Sequence, residues 1–73
     1  MNEWISVKDR LPESDELVLV LVDGKPTRNI TLVGAYELAN YDKEEGWFLE
    51  MWPEWEGAKV TYWMPLPEPP KEG

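Results

Sequence analysis

The sequence contains no cysteine and no histidine. Without cysteine there can be no disulfide, thiol nucleophile, iron–sulfur cluster or thiolate zinc site. Without histidine there is neither an imidazole metal ligand nor the usual neutral-pH general base. Carboxylates and a few lysines are left for either task. Basic residues are also scarce: 7 against 15 acids, for a formal net charge of −8. Such a chain repels phosphate backbones and anionic lipid headgroups, so neither nucleic acid nor membrane is expected as its direct partner. No run approaches the ~20 apolar residues of a membrane span. The first residues, Met1-Asn2-Glu3-Trp4, lack the basic segment of a secretory signal. A cytoplasmic protein is expected, and the absence of cysteine suits a reducing compartment. At 73 residues the chain falls below the usual ~100–200 of a domain and has room for one core.

Large side chains are abundant. Five Trp, three Tyr and one Phe each bring about 150–250 Å² of surface to bury, and Trp4, Trp47 and Trp63 are expected in packing roles. The strongest local signal is Leu17-Val18-Leu19-Val20-Leu21-Val22, bounded by Asp23-Gly24. Six apolar residues between turn signals predict a strand that is apolar on both faces. After a loop over residues 24–28, residues 29–36 alternate as a second hairpin arm. Ile30, Leu32, Gly34 and Tyr36 fall on one face; Thr31, Val33 and Ala35 fall on the other. Residues 47–52 predict a third strand stopped by Pro53, and residues 60–64 a fourth closed by Pro65, because proline cannot donate to a ladder. One helical turn is expected at residues 6–12, capped by Ser6, and another at residues 37–43. The expected fold is mainly β, or small α+β. It is a single compact antiparallel sheet or partly open barrel of four or five strands, formed by residues 1–64, with the Trp4-Ile5 segment over one face. Residues 65–73 form a proline-rich extended tail.

The two ends of the chain carry paired motifs. Trp4-Ile5-Ser6-Val7 with Arg10-Leu11-Pro12 stands at one, and Trp63-Met64-Pro65-Leu66-Pro67 with Pro69-Pro70 at the other. Together they resemble a family of short phage and prophage proteins that carries no assigned activity. The resemblance implies a bacterial or phage setting, and hence a host-cell cytoplasm, and transfers no catalytic residue. On physical grounds Trp4 and Trp63 would pack the termini together, and Arg10 would bond carbonyls of the tail beyond Pro65 and Pro67. Alternatively, Pro67-Glu68-Pro69-Pro70 docks an aromatic groove on a partner.

Glu44, Glu45, Glu50, Glu54 and Glu56 cluster in sequence. Paired acids can serve glycoside hydrolysis or hold Mg²⁺, yet no phosphate loop, ligand-spaced acid motif or nucleophile elbow accompanies them. Seventy-three residues also leave little room for a water-excluding pocket. No enzyme, cofactor or metal is expected. Charge is concentrated, however. Residues 37–56 hold seven acids against Lys43, a local net of −6, interleaved with Trp47, Phe48, Trp52 and Trp55. Glu50, Trp52, Glu54, Trp55 and Glu56 are therefore the candidate partner-binding residues, an aromatic hot spot among carboxylates facing a basic protein. Trp55 either faces that partner or folds back as a lid on the sheet. Three functions fit: a protein-binding module, in sharper form a nucleic-acid mimic that inhibits a basic host protein; an oligomeric small-molecule or nucleotide binder; or a structural subunit. The two apolar faces of residues 17–22 further predict a homo-oligomer.

Overall fold

A computed structural model describes residues 3–13 and 16–66. The expected tail, Pro67 included, lies outside the described residues apart from Pro65 and Leu66. Five strands form one antiparallel sheet: β1 (Ile5–Ser6), β2 (Leu17–Thr27), β3 (Ile30–Asp42), β4 (Gly46–Leu49) and β5 (Lys59–Pro65). Their spatial order is β1-β5-β2-β3-β4. The fold is mainly β, as expected, with no helix among the described residues. The two ends of the chain meet, because Ile5 pairs with Trp63 and Ser6 with Tyr62.

The apolar run lies in the central strand. Val18, Val20 and Val22 are fully buried and join Ala39, Leu49, Val60 and Trp63 in the core. Leu17, Leu19 and Leu21 alternate onto the opposite face and are half-buried. Cross-strand partners share a face, so Tyr62, Leu21 and Tyr36 form one row there, and Met64, Leu19 and Leu38 the next. Phe48 joins this face through Asn40, which lies opposite Leu17. Trp4 meets Tyr36 edge-on at 5.9 Å. Trp4 thus lies across the second face, while Ile5 packs on the core side.

Several boundaries differ from the sequence expectation, each for a tertiary reason. The strand expected to end at Asp23-Gly24 runs on to Thr27, and the hairpin turns at Arg28-Asn29. Gly24 adopts φ +136°, a conformation that keeps it in the ladder opposite Leu32. On β3 an extra residue is accommodated at Val33-Gly34, where Gly34 has φ +57° and its N–H donates to Asp23 Oδ1 at 2.6 Å. This bulge reverses the alternation. Leu32 and Ala35, expected on opposite faces, both pack against the core. Residues 37–42 extend β3 instead of forming a helical turn, because β2 pairs them on one side and β4 pairs residues 39–42 on the other. The single turn after Ser6 does form: the N–H groups of Asp9 and Arg10 both donate to the Ser6 carbonyl. β4 ends at Leu49, earlier than Trp52, and the chain then bends.

Candidate functional site

Beyond β4 two successive turns redirect the chain. The Trp52 N–H donates to the Leu49 carbonyl at 3.3 Å, and the Trp55 N–H to the Trp52 carbonyl at 3.1 Å. They carry residues 52–58 back over the core face, where Trp52, Trp55 and Ala58 pack against the buried cluster. The Trp55 indole lies directly on Gly24: a Cβ placed on that glycine would be 2.7 Å from its Cζ2. Trp55 is therefore a half-buried lid on the sheet, one of the two arrangements the sequence allowed. Trp52 is half-buried too, and its Nε1 is buried with no acceptor among the described residues. The carboxylates between them, Glu54 and Glu56, are exposed.

The returning loop stands beside β4 and encloses a cleft of about 790 Å³ lined by Glu45, Trp47, Pro53, Glu54, Trp55 and Glu56. The turn at residues 42–46 sets Glu45 at its mouth. Asp42 Oδ1 accepts from the N–H groups of Glu44 (2.7 Å) and Glu45 (3.0 Å), and Gly46 takes φ +95°. Trp47 is held by Tyr41 across the ladder, with ring centroids 5.0 Å apart. Around the other side of the same loop lies a second hollow of about 450 Å³, bounded by Pro26, Met51 and Trp52.

The acids that cluster in sequence therefore separate in space. Glu54 and Glu56 share the cleft with Glu45, whereas Glu50 borders a groove of about 310 Å³ with Leu19, Tyr36, Leu38 and Met51 on the second face. Glu37 sits in β3 opposite Val20 and is half-buried. The sequence gives Trp47 a packing role and leaves Glu45 outside the candidate partner-binding residues. Only the returning loop reveals their place in the cleft, and the spacing of Gly46 and Pro53 around β4 was the one local hint of it. The expected room for a pocket was also too small, because the cleft lies between loop and strand instead of inside the core. Among the described residues no three acids are grouped so as to hold a metal ion, and no helix is long and apolar enough to cross a membrane.

The end motifs have a structural role. Trp63, 3% exposed, donates from Nε1 to the Arg10 carbonyl at 2.8 Å. The Arg10 guanidinium lies 5.7 Å from the centre of the same ring, a cation–π contact. The described contact of Arg10 is thus with Trp63, where the sequence had suggested tail carbonyls. Pro65 ends β5 opposite Val18 and is exposed.

A family model described as "Protein of unknown function (DUF551)" matches residues 3–71, nearly the whole chain. The chain belongs to the DUF551 family. The DUF551 chain is also similar to the "Uncharacterized 7.8 kDa protein in ral-gp17 intergenic region" of Salmonella phage P22. The two are 34% identical over 76 aligned positions, which cover 96% of this chain and 98% of the phage protein. These matches agree with the resemblance read from the end motifs and give the DUF551 chain a phage association. No solved structure matches it.

Proposed function

We propose that the protein is a non-enzymatic binding module that takes a basic segment of another protein into the cleft between β4 and the returning loop. The observation that carries this reading is the cleft's lining: the Trp47 and Trp55 side chains beside Glu45, Glu54 and Glu56. Indole faces attract cations through their quadrupole, and carboxylates accept the hydrogen bonds of lysine and arginine. Among the described residues no lysine or arginine lines the cleft, which disfavours the phosphates of a nucleotide. In its sharper form the partner is a nucleic-acid-binding protein of the bacterial host. The carboxylates would then occupy the place of its phosphates, and the phage association supports a setting in which such an inhibitor is useful.

Fluorescence anisotropy with an arginine- and lysine-rich peptide tests the site. Binding is expected at low salt and should weaken steadily as salt rises. Glu54→Gln with Glu56→Gln should weaken it about three- to ten-fold, as expected for charges at an exposed rim. Glu50→Gln, on the other face, should leave it unchanged. No binding at low salt, or binding indifferent to the paired substitution, would sink the proposal. Co-purification from the host followed by mass spectrometry then identifies the partner, and competition by duplex DNA decides whether it is displaced from nucleic acid.

A further inference from the structure

The second face of the sheet, which shares only Phe48 with the lining of the cleft, has its own significance. Leu19, Tyr36, Leu38, Phe48, Met51 and Tyr62 meet there. Five of the six are widely open to solvent: Tyr36 is 68% exposed, Met51 67%, Phe48 and Tyr62 43% each, and Leu38 39%. With large side chains carrying about 150–250 Å² apiece, these fractions and the half-buried leucines leave on the order of 600–700 Å² of apolar surface in water. The largest patch on an ordinary monomer is about 300–600 Å², and a stable interface takes roughly 800 Å² from each partner.

We infer that this face pairs with the same face of a second copy, giving a two-fold sandwich. The charge pattern of the face selects a second copy over another occupant. The side chains at the centre of the face are uncharged: Glu37, which also lines the groove, alternates to the core side opposite Val20, while Glu50 beside Met51 and Asp23 opposite Lys59 at the end of the β2–β5 pairing stand at the margin. A basic partner would find no acid in the middle to meet, whereas an identical apolar sheet is complementary without any. Two sheets stacked this way lie about 10 Å apart with their strands roughly aligned. The acidic clefts, on the core side of each copy, then point outward, so their like charges are kept apart beyond the screening length.

Light scattering and sedimentation of the full chain across a concentration series test the inference. The native chain is expected to reach twice the mass of one chain. Tyr36→Lys and Leu38→Glu, each at an exposed position, should reduce it to the mass of a single chain while leaving the far-ultraviolet dichroism of the sheet in place. Glu54→Gln with Glu56→Gln should leave the dimer intact, which separates this outcome from the fate of the cleft. A native chain that stays monomeric at the highest soluble concentration overturns the inference. So does a dimer that survives both face substitutions with folding intact, since it would then use another surface.

Discussion

Gly24 combines a backbone requirement with a tertiary one. Its φ of +136° is open to glycine alone, and the Trp55 ring occupies the space where a Cβ would go. Gly34 at φ +57° has only the backbone requirement, for nothing lies within 4 Å of its would-be Cβ. Gly34→Ala should therefore cost about 1–2 kcal/mol, the penalty of the left-handed conformation. Gly24→Ala should cost about 2–4 kcal/mol and shift the tryptophan emission as the lid lifts. Urea denaturation of the two variants checks the contrast; equal costs would mean that Trp55 is not seated on β2. Neither glycine's role was legible in the sequence, where Gly24 reads as a loop and Gly34 as a gap in an alternating strand. A positive φ inside a ladder is fixed by long-range pairing, which local composition does not encode. The position of Trp55 depended on the same contact, and so a sequence reading left it open between lid and hot spot.

Among the elements, β1 is the smallest and one of the most consequential. Its two residues add Ile5 to the core side, and the chain just after it donates from Val7 N–H to the Thr61 carbonyl at 3.1 Å. Removing residues 1–6 uncovers β5 beside Trp63. The truncated chain should lose about 2–4 kcal/mol, comparable to deleting one buried aliphatic side chain, with tryptophan emission moving to the red; thermal melting followed by fluorescence would show it. Unchanged stability would mean that β5 serves as well as an edge strand. The existence of β2, β3, β4 and β5 was legible because each carries a run of β-branched, aromatic or other apolar residues bounded by turn residues. Their lengths were not. Residues 37–42 hold Glu, Ala and Asn, which favour other structures, yet pairing with both neighbours overrides that preference. At the other extreme, β4 stops at Leu49 although the apolar composition continues to Trp52, because the turn accepted by the Leu49 carbonyl takes the chain out of the sheet.

For the whole molecule, a net charge of −8 is a repulsive load that folding must overcome. Raising ionic strength from about 0.01 to 0.15 M shortens the screening length from about 30 to 8 Å. The urea midpoint should therefore rise with sodium chloride while peptide binding in the cleft falls. A midpoint that fell with salt would show that attractive pairs outweigh the repulsion. Sequence alone placed six of the eight net charges in residues 37–56. The fold distributes them between the cleft, the 42–46 turn, the core-facing side of β3 and the margin of the second face, because successive residues of a strand point in opposite directions. The same alternation raises a problem of alignment. In β2 valines and leucines take turns, so sliding the strand by one residue would exchange Val for Leu on each side and leave both sides apolar. Its own pattern cannot specify which residue pairs with which. That information resides in the irregular positions: the Asp23 carboxylate holding the Gly34 amide, the shifts around Gly24, and the two-residue turn at Arg28-Asn29. The defects in the ladder, more than its regular stretches, make one pairing of this hairpin the native one.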